Sequence, residues 1–241
     1  MFMRDCLQAR VGLGSAGLLL LLWAGATGLA AQQMDDAMVL QRVDAAVKAR
    51  IDGIAGYTAI EHYAVFRNKD EAHPAAEMTV KTTYKRETGK SYEILSESGS
   101  RTIRGLVLNT ILDNERHVNE PGVREGAWVT TANYEMRVKP GGVQRVEGRN
   151  CIAVSLAPRR KEPYLLEGTL WVDATDGKIV QIAGKGSKSS TVFSGATEMM
   201  REYADVDGFA EAIHARAESD SFLFGQTVVT IDYRDYRIQR Q

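Results

Sequence analysis

The chain has 241 residues, with 30 basic and 31 acidic side chains and a net charge of −1. That length fits one large domain or two small ones. So even a charge balance excludes the basic surface that nucleic-acid binding requires.

Residues 1–30 read as a secretory signal peptide. Arg4 and Arg10 form a short basic region, Val11 to Trp23 an apolar core, and Gly28-Leu29-Ala30 the small residues a signal peptidase reads. The apolar run is about 13 residues, short of the ~20 a membrane-spanning helix needs. No Cys stands directly after it, so an exported rather than lipid-anchored chain is expected. Cleavage would leave 241 − 30 = 211 residues and Cys151 as the remaining cysteine. Without a disulfide the apolar core must suffice, which this length permits. Cys151 alternates with Ala153 and Ser155, opposite Ile152, Val154 and Leu156, and reads as a small strand residue rather than a nucleophile.

Leu40, Val43, Val47, Ile51 and Ile54 recur every three or four residues, the stripe of an amphipathic helix. Asp35 or Asp36 can cap its start and Gly53 can end it. Tyr57 to Arg67 reads as a strand. Glu77 to Glu87 alternates apolar and polar residues, as a sheet with one wet side requires. Thr88-Gly89-Lys90 is a hairpin loop, and Ser91 to Glu97 returns. Ile103, Val107 and Ile111 predict a second helix ending near Asn114, with Gly105 costing ~1 kcal/mol inside it.

Strands then dominate. They are expected at Tyr134 to Val138, Val143 to Val146, Arg149 to Pro158, Leu165 to Val172 and Lys178 to Gly184, with Pro140-Gly141-Gly142 as a turn. Asp173-Ala174-Thr175-Asp176-Gly177 is a strong turn signal. Gly184 to Gly195 reads as a solvated loop and does not match a phosphate-binding loop. Thr197 to Val206, Gly208 to Ser219 and Thr227 to Ile238 close the chain. Short turns make the sheet mainly antiparallel, and the helices are too few and too early for βαβ crossovers. The fold class is α+β, in one domain.

The search for chemistry is negative. His62, His73, His117 and His214 have no metal-ligand spacing, and neither HExxH nor CxxC occurs. No GxSxG elbow is present. Asp173 and Asp176 belong to a turn that needs them for backbone reasons. No catalytic residue, metal or cofactor is expected, and the chain reads as a binder rather than an enzyme. What remains is the apolar face. Alternation places Met78, Val80, Tyr84, Ile94, Tyr134, Met136, Leu170, Val172, Ile182, Val229, Ile231 and Tyr233 on it as a candidate cavity lining. Met adapts to irregular ligands, and Tyr presents an apolar body with a polar tip.

The stretch Leu170-Trp171-Val172-Asp173-Ala174-Thr175-Asp176-Gly177-Lys178-Ile179-Val180, the turn Tyr203-Ala204-Asp205-Val206-Asp207-Gly208-Phe209, the helix Asp35–Ile51 and the signal peptide together resemble the LolA/LolB-like periplasmic lipoprotein-localisation carriers. The resemblance implies an incomplete, half-open antiparallel β-barrel of about ten strands over residues 31–241. An N-terminal helix and a second helix would cover its concave apolar face. It implies a periplasmic protein that carries acyl chains of lipid or lipoprotein without covalent chemistry, handing them to or from an inner- or outer-membrane protein. A different reading is an envelope-stress sensor that uses the same half-barrel to bind a protein or lipid signal.

Overall fold

The computed structural model describes residues 24–187, 197–221 and 225–241, with side chains on the first helix described from Asp36 onward. Most of residues 1–30, for which a signal peptide is expected, and the larger part of the Gly184–Gly195 segment lie outside the described residues. The chain divides into an N-terminal unit, Met1–Asp35, and a main unit, Asp36–Gln241. All that follows concerns the main unit. Among the described residues no helix is long and apolar enough to cross a membrane.

Helix α1 (Ala24–Gly53) leads into strands β1 (Ile54–Arg67), β2 (Ala76–Lys85) and β3 (Gly89–Gly99). Next come α2 (Arg101–Ile103), a π-helical turn (Arg104–Leu108) and α3 (Asn109–Val118). Strands β4 (Tyr134–Val146), β5 (Arg149–Pro158), β6 (Leu166–Asp173), β7 (Ile179–Gly186), β8 (Glu198–Val206), β9 (Phe209–Ser221) and β10 (Gly225–Arg240) complete the chain. All ten strands form one sheet in the order β3-β2-β1-β10-β9-β8-β7-β6-β5-β4. Every neighbouring pair is antiparallel.

This order has a simple origin. Hairpins make a three-stranded meander, β1–β3, and a seven-stranded one, β4–β10. The meanders join where β1 pairs with β10, from Ile54↔Arg240 to Arg67↔Thr227. β3 and β4 remain as open edges, so the sheet does not close into a barrel. The segment joining these edges carries α2 and α3.

There are three apolar clusters: two lie beneath the helices, and the third joins Ile54, Tyr57 and Ala59 to Tyr84, Phe209 and Tyr236. Ile103, Val107, Leu108 and Leu112 of the second helical segment pack on Tyr63, Met78, Val80, Val229 and Ile231 of β1, β2 and β10. Val43 of α1, flanked by Val39, Leu40 and Val47, packs on Tyr134, Met136, Val154, Leu156, Leu170, Val172 and Ile182 of β4–β7. Each helix therefore covers one wing of the sheet.

Several boundaries differ from the sequence expectation for local reasons. Helix α1 does not begin at Asp35 or Asp36, because its backbone is helical from Ala24, and Ile54 opens β1 instead of closing the helical stripe. The second helix runs on to Val118. Its π-helical turn inserts an extra residue per turn, so both Val107 and Leu108 are buried, and Gly105 has no neighbour within 4 Å of a would-be Cβ. Pro140-Gly141-Gly142 is a bulge within β4, not a turn. The pairing moves from Val138↔Val154 to Val143↔Ile152 across it. Proline tolerates this because β4 is an edge strand with no outer partner for its missing N–H.

The two turns quoted for the family resemblance are built as turns. Asp173 Oδ1 accepts from Thr175 N at 2.8 Å, and Gly177 has φ +73°. Asp207 (φ +52°) and Gly208 (φ +86°) form the tight β8–β9 turn, with Asp205 Oδ1 accepting from Gly208 N at 2.8 Å. Gly177 also passes close to α1, where an added Cβ would stand 2.7 Å from the Arg42 backbone. Gly177→Ala should therefore destabilise the fold by about 1–3 kcal/mol in urea denaturation. Gly122→Ala is the comparison. It has φ +88° but open space around it, so its loss should be the smaller of the two.

Candidate functional site

A hollow of 610 Å³ opens between α1, α3 and the sheet, beside the third cluster. Its walls come from the last turns of α1 (Ala45, Ala46, Ala49, Arg50), from Glu115 of α3, and from the connection that carries Arg124, Trp128 and Val129. Its floor is one end of the sheet, where Tyr57, Tyr84, Lys90, Arg201, Tyr203, Glu211, Tyr233 and Tyr236 of β1–β3 and β8–β10 come together.

Of the twelve candidate lining residues, Tyr84 and Tyr233 reach the hollow. Met78, Val80, Val229 and Ile231 are buried beneath the second helical segment. Tyr134, Met136, Leu170, Val172 and Ile182 are buried beneath α1. Ile94 lies opposite Val80 on the edge strand β3 and is 49% exposed. A bulge beside it, between Thr79 and Val80 in the pairing, interrupts the alternation from which its position was read. Most of the candidates thus form core, because the helices sit on the most apolar parts of the face.

The hollow is instead walled by tyrosines and ion pairs. Tyr57 stacks on Tyr84 at 5.2 Å and meets Tyr236 in a tilted contact at 5.7 Å. The Tyr236 hydroxyl donates to Ala212 O at 2.9 Å, which leaves its ring as wall. Burial raises the phenols of Tyr57, Tyr233 and Tyr236, so they stay neutral.

Arg50 of α1 makes a bidentate pair with Glu211 of β9, both bonds 2.7 Å. Glu211 is 2% exposed, so this is a charge pair set into the wall. Burial works against the Arg50 charge, but Glu211 overrides it and raises the guanidinium further. Arg86, in the turn after β2, donates to the carbonyls of Ile51, Asp52 and Ile54 and so caps the C-terminal end of α1. Asp44 accepts from Thr131 N at 2.9 Å on the opposite side. Together these contacts fix α1 against the sheet.

The second charged group bridges the hollow. Glu115 of α3 accepts from Lys90 Nζ of β3 at 2.9 Å, and its other oxygen lies 3.4 Å from Arg201 Nη2 of β8. Burial alone would raise the Glu115 carboxyl, but Lys90 and Arg201 hold it down at about 2. Lys90 is raised well above its ordinary value despite burial, by Glu115 first among its neighbours. Close by, Glu61 is 1% exposed and accepts from the Tyr63 hydroxyl at 2.5 Å.

These charged residues escaped the sequence reading. Lys90 looked like part of a hairpin loop, whereas β3 begins at Gly89. One signal was legible: Glu61 falls in phase with Tyr57, Ala59, Tyr63 and Val65, a carboxylate on the inward side of a strand. Among the described residues no group of three or more His, Cys, Asp or Glu could hold a metal ion. Cys151 is fully buried in β5, and burial raises its thiol.

No family model matches the chain, and no curated protein matches it. Solved structures do resemble it. A LolA superfamily protein from Nitrosomonas europaea is 10% identical, with 85% of this chain and 93% of that chain covered and a TM-score of 0.46. A putative outer membrane lipoprotein-sorting protein domain from Vibrio parahaemolyticus is 13% identical, covering 86% and 93% at a TM-score of 0.47. A DUF1329 family protein from Desulfovibrio piger is 13% identical, covering 83% and 93% at a TM-score of 0.42. The family name that the sequence suggested is thus met again among structures. At these identities the hollow has to be read from its own residues.

Two measurements check the electrostatics. Arg50→Ala leaves Glu211 buried without its partner and should cost about 3 kcal/mol in urea denaturation, the low end for a broken buried pair because Arg50 is itself part-exposed. Glu115 acts with the sign of a depressed carboxyl. Its contribution is complete above the ordinary value of 4.5 and is lost as pH falls through about 2. From about pH 5 down to about pH 2, Glu115→Gln should lose roughly 2 kcal/mol less stability than the wild type. Parallel curves for the two proteins would count against the bridge.

Proposed function

We propose that the protein is a non-covalent carrier or binder of an acyl chain, held in the hollow between α1, α3 and the sheet. The supporting observation is the small-residue wall of α1, where Ala45, Ala46 and Ala49 leave 610 Å³ open above aromatic side chains. That volume lies within the roughly 300–1,000 Å³ of sites that enclose small molecules. Each CH₂ moved from water into such a space contributes ~0.8 kcal/mol. Tyr57, Tyr84, Tyr236 and Phe209 supply ring faces for such a chain. Neutral tyrosines suit this role, since their rings take apolar contact while their hydroxyls keep polar partners.

The cargo we infer is the acyl part of a lipid or lipoprotein in the cell envelope, with a membrane protein as donor or acceptor. Support for this comes from the export segment at residues 1–30 and from the resemblance carried by Leu170–Phe209. No covalent step is needed: a carrier has to hold its cargo and release it.

Filling the hollow tests the reading. Ala46→Trp places an indole in the open space without touching either core. A fluorescent fatty-acid probe should bind the wild type and bind Ala46→Trp at least about tenfold more weakly, at unchanged thermal stability. Equal probe binding by both proteins would place the chain elsewhere, and absence of binding by the wild type would end the proposal.

A further inference from the structure

Six cationic side chains line the hollow: Arg50, Arg86, Lys90, Arg124, Lys178 and Arg201. Four of them have acceptors of their own. Arg50 holds Glu211, and Arg86 holds the end of α1. Arg124 pairs with Glu125, and Lys178 with Asp176 and Asp205. Lys90 and Arg201 share one carboxylate, Glu115.

The sharing is unequal. Lys90 lies at a normal 2.9 Å, whereas Arg201 is at 3.4 Å and its side chain is 40% exposed. Arg201 is therefore the less tightly held of the two cations. Glu61, the nearby buried carboxylate, accepts from Tyr63. The two cations approach from opposite wings of the sheet, β3 and β8, and a carboxylate already fits between them. Glu115 comes from α3, the helical segment that borders the hollow, so it is an internal counter-ion that a ligand can replace.

We propose that Lys90 and Arg201 form an anion subsite in the hollow, which takes the negatively charged head of a single-tailed amphiphile in place of Glu115. This rests on the acyl-chain reading and adds the chemistry of the head to it. The tail occupies the space beside Ala46 and the tyrosines. The head, a carboxylate or a phosphate, reaches the cation pair. Displacing Glu115 removes the charged contacts of α3 to β3 and β8, while Leu112 keeps α3 packed on the sheet, so loading the subsite releases only the contact that crosses the hollow.

The test is calorimetric titration of the purified protein with three amphiphiles of equal saturated chain length, each below its micelle threshold. One is a fatty acid, one an alkyl phosphate and one a fatty alcohol. At least one anion should bind about tenfold more tightly than the alcohol, the scale of one charge-assisted hydrogen bond. The tighter of the two anions identifies the head as carboxylate or phosphate. In Arg201→Gln the advantage of the anion over the alcohol should fall below about threefold. Glu115→Gln should tighten the anions and leave the alcohol alone. Equal affinity of the wild type for all three overturns the anion subsite and leaves the acyl-chain reading standing. If none binds, both fall. Should Arg201→Gln fail to fold, the wild-type ranking decides.

Discussion

Two helices cannot cover one face of ten strands. Strands lie about 4.8 Å apart, so the face spans roughly 40 Å, whereas a helix with its side chains is about 10 Å wide. Even with the sheet curled, a gap between the helices follows. Here α1 covers β4–β7 and the second helical segment covers β1, β2 and β10. The hollow opens where neither helix seals the face, at the end of the sheet beside the last turns of α1 and α3. The split core and the position of the site both follow from this shortage of helix.

The same constraint explains the polarity of the hollow. Where helices press on the sheet, packing excludes water, and the inward positions are Met, Val, Leu and Ile. Where they do not, the inward face can carry groups that need partners. Arg50–Glu211 and Lys90–Glu115–Arg201 occur at this seam. Buried ion pairs contribute little net stability compared with apolar packing. Their place beside an open space, and not inside either core, fits recognition better than stabilisation. They also differ mechanically. The contacts of Arg50, Arg86 and Asp44 hold α1 in place, while α3 is tied across the hollow through one shared carboxylate.

Strands were the most legible elements, because alternation has a period of two and turns carry Asp and Gly for stated backbone reasons. The turns at Asp173–Gly177 and Asp205–Gly208 were read from such residues and formed as turns. Irregularities were not legible. The Pro140-Gly141-Gly142 bulge resembles a turn in sequence, because the same residues serve both. The π-helical turn at Arg104–Leu108 leaves no residue signature, since it depends on what Val107 and Leu108 pack against. Most of the candidate lining lies beneath the helices. Apolar residues mark where helices land, and those positions became core, whereas the hollow retained Tyr84 and Tyr233.

By itself the amino-acid sequence determined an α+β chain, an antiparallel sheet and one apolar face, because these depend on local periodicity and turn chemistry. Tertiary structure alone decided that β1 closes onto β10, that the core divides into separate clusters, and that Lys90, Glu115 and Arg201 meet. Those three residues are far apart in the chain and lie on three different elements. Only the strand order and the placement of α3 bring their charges within hydrogen-bonding reach.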